Sequence, residues 1–125
     1  FSFSGLKTAV INLIHNARQK GEEIDRASLA ASFTKAVSDS LVPRTVRAAK
    51  ELGYKKVVVA GGVAANSRIR ADFKRAADEN GFELFVPPLR LCGDNGAMVG
   101  AQGYYEYLAG NIAGSDLNAY ATMEL

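Results

Sequence analysis

The apolar residues of this chain change period several times, and each change marks an element. Leu6, Val10, Leu13, Ile14 and Ala17 follow the i, i+4, i+7, i+8, i+11 spacing of one helical face. That spacing predicts a helix over about residues 6–19, with Gly21 as its stop. Ahead of it, Phe1-Ser2-Phe3-Ser4 alternates like a short strand, with both phenylalanines on one face. His15 falls opposite Leu6 and is expected in solvent. A second stripe, Leu29, Phe33, Val37 and Leu41, then Val46, Ala49 and Leu52, predicts a long helix capped by Asp25. Pro43 lacks a backbone donor and clashes with the preceding turn, so a kink or short break is expected near Val42.

After Gly53 the pattern turns β-branched. Lys56 to Ala60 predicts a strand that ends abruptly at Gly61-Gly62, and an amphipathic pattern resumes at Ser67. That helix buries Ile69, Phe73, Ala76 and Ala77 and closes at Gly81. Phe82-Glu83-Leu84-Phe85-Val86 predicts a second strand, ended by Pro87-Pro88. Joined by a helix of this length, the two strands are expected to be parallel neighbours. Residues 89–93 read as a loop. Asp94 then reads as the start of a last helix reaching about Ala109, with Met98, Ala101, Tyr105 and Leu108 on its apolar face. Gly96, Gly100 and Gly103 form a second edge without side chains. Glycines inside a helix cost about 0.5–1 kcal/mol each relative to alanine, which suggests close approach of backbone or ligand there. Residues 111–125 read as a loosely ordered tail.

Composition narrows the class without naming a chemistry. The chain has 125 residues, enough for one small domain or part of a larger one. Its net charge of +2 is too small to argue for nucleic-acid or membrane binding. No apolar run approaches the ~20 residues of a membrane span. Cys92 is the only cysteine, so no internal disulfide can form, and a reducing compartment such as the cytoplasm is expected. Phe1 opens on strand-like sequence rather than methionine, so we expect an excerpt from a longer protein.

The strand, double glycine and helix around Val59 to Asn66 are the strongest local signal. Two adjacent residues without Cβ atoms let a flat ring or a phosphate approach the main chain. The same glycines also make a tight turn with no ligand at all. The dinucleotide pattern Gly-x-Gly-x-x-Gly is absent, and no Gly-Lys-Ser/Thr comes after them as in a phosphate loop. Asn66 is placed either to cap the helix or to reach a ligand, and Asp94 either to cap or to bind a cation. With a single histidine, His15, far from Asp94 in the chain, and a single cysteine, no nitrogen- and sulfur-rich metal site can be assembled. Lys7, just after Ser4-Gly5, is a phosphate contact or a solvated lysine. Arg68, Arg70, Lys74 and Arg75 form a basic set for a nucleic-acid backbone, but Asp72, Asp78 and Glu79 are interleaved as on a solvated face. Cys92 reads as a small buried hydrophobe.

Three stretches together resemble one family. Phe1-Ser2-Phe3-Ser4-Gly5-Leu6-Lys7-Thr8 is similar to its mid-chain signature. Val59-Ala60-Gly61-Gly62-Val63-Ala64-Ala65-Asn66-Ser67-Arg68-Ile69-Arg70 resembles its adenosine-site motif. Pro88 and the run Cys92-Gly93-Asp94-Asn95-Gly96-Ala97-Met98 resemble its metal-aspartate motif, and Gly103-Tyr104-Tyr105 is similar to the stretch after that motif. The family is the tRNA N6-adenosine threonylcarbamoyltransferases, formerly called O-sialoglycoprotein endopeptidases or glycoproteases. Gly93 departs from the family's usual threonine.

The resemblance implies an α/β fold, part of a two-lobed, actin-like ATPase of ribonuclease H-like type, helix-rich with a small parallel sheet. Residues 1–110 would be most of the C-terminal lobe. It implies transfer of a threonylcarbamoyl group from its adenylate to N6 of adenosine 37 in tRNA. Gly61, Gly62 and Asn66 would then meet threonylcarbamoyl-adenylate or an ATP-like nucleotide. Asp94 would share a divalent metal, iron above others, with two histidines outside this chain. The N-terminal lobe, tRNA and other proteins of the threonylcarbamoylation machinery would be its partners, with no membrane, and no catalytic residue is assigned. The chain alone is expected to be inactive and to self-associate through its uncovered apolar face. Two further classes stay open: a non-enzymatic RNA-docking module using the basic helix, and a metallopeptidase.

Overall fold

The computed structural model describes residues 3–119. Among them are four α-helices and a pair of short strands. These are α1 (Ser4–Lys20), α2 (Arg26–Glu51), β1 (Lys56–Val58), α3 (Ser67–Asn80), β2 (Glu83–Phe85) and α4 (Gly96–Leu108). The chain divides into two compact units, one ending at Cys92 and the other beginning at Gly93.

In the first unit, β1 and β2 pair in parallel with Lys56 opposite Glu83, Val57 opposite Leu84 and Val58 opposite Phe85. The amide of Val59 adds one more bond, to the Phe85 carbonyl at 2.9 Å. The helix between the strands carries the core. Ile69, Phe73 and Ala76 of α3 pack with Val37 and Val42 of α2, and Phe3, Leu6, Leu41, Val46, Val59 and Leu84 close around them. Burying a side chain such as Ile69 or Phe73 contributes about 1.5–3 kcal/mol each, so the α2–α3 seam dominates this unit. In each strand the outer two residues are exposed, and only the central Val57 and Leu84 turn toward the helices.

The helix ends obey local chemistry. Asp25 caps α2 by accepting from the Ala27 amide at 2.9 Å, and its pKa is lowered chiefly by the Ser28 hydroxyl. Gly21 and Gly81 close α1 and α3 in the left-handed conformation, at φ 69° and 68°. His15 is exposed and pairs with Gln19 at 3.1 Å.

Four expectations are corrected. Ser4 is helical rather than extended, while Phe1 and Ser2 lie outside the described residues. Of the kink or short break expected near Val42, the break does not occur: α2 runs unbroken over 26 residues. Pro43 faces solvent beside buried Val42, so the carbonyl left without its donor is on the wet side while packing holds the inner side. Phe33 stays exposed because the buried part of α2 begins at Val37, and Leu52 stays exposed as the cap residue beyond the last helical residue, Glu51. Asp94 does not start α4. Asn95 is the cap, its side chain accepting from the Met98 amide at 3.0 Å.

In the second unit, α4 buries none of its residues, and Met98, Val99, Tyr104, Tyr105, Tyr107 and Leu108 are all exposed. A Cβ built on Gly96, Gly100 or Gly103 would meet nothing within 4 Å, so the side-chain-free edge faces open space.

Candidate functional site

Residues 60–66 carry the chain out of the sheet and into α3, and their geometry is set by local chemistry. Gly61 sits at φ 94°, ψ 170°, a backbone that a side chain disfavours. Its carbonyl accepts from the Ala64 amide at 2.9 Å, opening a 3-10 turn over Gly62–Ala65, and Ala64 is buried. Gly62 differs: its φ is not positive, and a Cβ there would meet nothing within 4 Å. Backbone strain therefore accounts for the first glycine. Neither strain nor packing accounts for the second, which presents bare peptide to open space.

Asn66 uses one end of its amide as a cap. Its Oδ1 accepts from the Arg68 amide at 3.0 Å and the Ile69 amide at 3.1 Å, which caps α3. Facing two N–H donors, that end must be the oxygen, so Nδ2 is fixed as the outward group. Nδ2 donates to no group among the described residues. Capping thus leaves a half-buried donor available beside the glycine turn and the positive end of α3.

Asp94 lies in the second unit. Its carboxylate is exposed and has no hydrogen bond or ion pair among the described residues, since Asn95 does the capping. Both oxygens are therefore open to a cation. No group of three or more metal-ligating side chains occurs among the described residues.

The basic set on α3 is engaged within the chain. Arg68 Nε reaches Asp72 at 2.8 Å and Arg75 Nη2 reaches it at 2.6 Å. Lys74 pairs with Asp78 at 3.2 Å. Asp72 itself is buried, its side chain 7% exposed, and it also accepts the Ser38 hydroxyl at 2.7 Å. The Ser38 hydroxyl first, then the Arg68 guanidinium, hold its carboxyl down to about 2. The interleaved charges place Asp72 on a solvated face, and the structure corrects this. The signal was present all the same, since Ile69, Asp72, Phe73 and Ala76 share one i, i+3, i+4, i+7 stripe.

Arg70, the remaining member of the basic set, makes contacts that the sequence pattern does not show. Its Nη1 donates to the Ala64 carbonyl at 2.9 Å and its Nη2 to the Pro87 carbonyl at 2.9 Å. Nη1 also lies 3.5 Å from Sγ of buried Cys92. A concavity of about 950 Å³ lies elsewhere, between α1 and α2, and is lined by Val10, Ile14, Leu29 and Phe33. It shares no residue with the glycine turn, so depth does not mark the site.

A parallel strand pair crossed by a helix, with bare backbone and a capping asparagine at the turn between them, defines a helix-rich α/β protein with an exposed sheet-to-helix turn. The family model described as tRNA N6-adenosine threonylcarbamoyltransferase matches residues 1–101, a span that holds Gly61, Gly62, Asn66 and Asp94, and the chain belongs to that family. The proteins of that name from Moorella thermoacetica and Staphylococcus saprophyticus are each 48% identical to it over its whole length. The one from Latilactobacillus sakei is 49% identical over 99% of it. The chain spans 36% of the length of the first two relatives and 37% of the third.

Proposed function

We propose that this chain is the C-terminal part of a tRNA N6-adenosine threonylcarbamoyltransferase, one lobe of an actin-like, two-lobed enzyme working in the cytoplasm. The reading rests on one observation above others: within the matched span, Asn66 caps α3 with its oxygen and leaves its NH2 free beside an unobstructed Gly62. A donor next to bare backbone at a helix N-terminus suits a nucleotide, whose base and ribose supply acceptors and whose phosphate favours the helix dipole.

In the transfer, N6 of the tRNA adenosine forms a bond to the carbamoyl carbon. The bond from that carbon to the adenylate phosphate oxygen breaks, N6 loses a proton, and AMP leaves. This chain's part is positional. The Gly61-Gly62 peptides and the Asn66 amide hold the adenylate so that the carbamoyl carbon meets the amine, an ordering that can lower the barrier by several kcal/mol, up to ~7–11 in ideal cases. Asp94 would supply one carboxylate to a divalent metal, iron by family resemblance, with histidines from outside the chain. Such a metal offers a Lewis acid to the adenylate or carbamoyl oxygens. Partner proteins of the modification machinery belong to the same proposal.

The test uses the complete enzyme containing this chain, with tRNA and threonylcarbamoyl-adenylate. Asp94→Ala is expected to abolish both metal retention and transfer while the fold persists, and the isolated chain is expected to be inactive. A variant that keeps metal and activity would remove Asp94 from the site. Stoichiometric micromolar metal binding or tRNA modification by the isolated chain would overturn the split site.

A further inference from the structure

Arg70 joins two segments that the sequence keeps apart. On one side is Ala64, in the 3-10 turn between Gly61 and Asn66, and buried there. On the other is the loop leaving β2, held at the Pro87 carbonyl and at buried Cys92. The guanidinium suits this task, because its planar fork donates to two carbonyls at once, both at 2.9 Å. Cys92 reinforces the far end, its thiol lying 3.6 Å from the Pro88 carbonyl and 3.8 Å from that of Pro87. Arg70 has no carboxylate partner among its contacts, unlike Arg68 and Arg75 on the same helix. Both segments otherwise rest on short strands, so this one side chain sets their spacing.

We propose that Arg70 is a positioning residue for the nucleotide: it fixes the glycine turn against the Pro87–Cys92 loop, and so sets the wall against which the adenylate binds. The inference rests on the proposed function above. Lysine keeps the charge and has three N–H donors, but they radiate from one nitrogen on a flexible stem and lack the planar fork that spans the two carbonyls.

The experiment is calorimetric binding of a non-reactive threonylcarbamoyl-adenylate analogue to the complete enzyme, as wild type, Arg70→Lys and Asp72→Asn. Initial rates of transfer and the labelling rate of Cys92 by a thiol reagent are measured alongside. Asp72→Asn controls for stability, because it loosens the α2–α3 seam without touching the clasp. For Arg70→Lys we expect affinity to fall about tenfold and KM for the adenylate to rise in step, with kcat changed less than about twofold. Cys92 labelling is expected to speed up in that variant alone. Unchanged affinity in Arg70→Lys overturns the assignment, as does an equal loss in Asp72→Asn at matched stability. Should the wild-type enzyme fail to bind the analogue, the functional reading fails and this inference falls with it.

Discussion

The Ser38 hydroxyl of α2 donates to the buried Asp72 carboxylate of α3 at 2.7 Å, across the seam that holds the first unit together. Ser38 is itself 2% exposed, so neither group has water as a substitute partner. Arg68 and Arg75, on the same helix as Asp72, complete its coordination from the solvent side. A charge in an apolar seam is tolerable here because three donors converge on it.

Removing the acceptor should therefore cost more than removing one donor. Asp72→Ala leaves Ser38 buried without its partner and is expected to lower unfolding stability by about 2–4 kcal/mol, kept below the fully buried case because both arginines are over half exposed and solvent screens them. Ser38→Ala should cost about 1–2 kcal/mol. Urea unfolding followed by circular dichroism measures both, and equal losses would show that the seam does not depend on the carboxylate.

The same carboxylate predicts an acid limb. Its folded-state pKa, about 2, lies below the ordinary value of 3.8. The unfolded state thus binds the proton more readily, and the contribution is complete above about pH 4 and fades as pH falls toward 2. Ser38→Ala, which removes the largest cause of the depression, should narrow that window. Asp72→Asn should abolish it. An unfolding free energy with the same slope over this range in wild type and Asp72→Asn would refute the linkage.

How far the sequence reveals this arrangement depends on where each partner lies. Ile69, Phe73, Ala76 and Ala77 are legible because period alone places them inward, and the parallel pairing is expected from the helix between two strands. Asp72 shares the inward stripe, but its charge and its neighbours Arg68 and Arg75 imitate a solvated face; only the facing Ser38, 34 positions away, settles it. Arg70 is illegible for a different reason. Its partners are main-chain carbonyls, and every residue has one. For Asp94-Asn95, two adjacent residues are both good caps, and the choice turns on which one reaches the Met98 amide.

The two glycines should separate by substitution. Gly61→Ala forces a side chain into a disfavoured backbone at φ 94° and is expected to destabilise by about 1–3 kcal/mol. Gly62→Ala meets no atom within 4 Å. Its stability should stay within about 0.5 kcal/mol of wild type, while adenylate affinity in the complete enzyme drops as the methyl occupies ligand space. Undiminished affinity in Gly62→Ala would mean that the bare peptide serves no ligand.

At Asn66, aspartate and alanine ask different questions. Aspartate caps about as well as asparagine, so Asn66→Asp should retain the stability of α3, whereas Asn66→Ala should lose about 1 kcal/mol. Both lack the Nδ2 donor, and aspartate adds a negative charge where the nucleotide is proposed to bind. Adenylate affinity is therefore expected to fall in both variants, further in Asn66→Asp. An aspartate variant that binds as tightly as wild type would reduce Asn66 to a cap.

The neighbouring pair Asp94 and Asn95 offers the converse separation. Asn95→Ala removes the oxygen that accepts from Met98 and should lower α4 stability by about 1 kcal/mol, seen as lost helicity or faster amide exchange over Gly96–Leu108. Asp94→Ala removes a carboxylate with no partner among the described residues, and α4 helicity should not change. In the complete enzyme the order should reverse, with metal content lost in Asp94→Ala and retained in Asn95→Ala. Loss of α4 helicity in Asp94→Ala would make that residue structural. Metal content is the readout that separates a merely solvated carboxylate from a metal ligand.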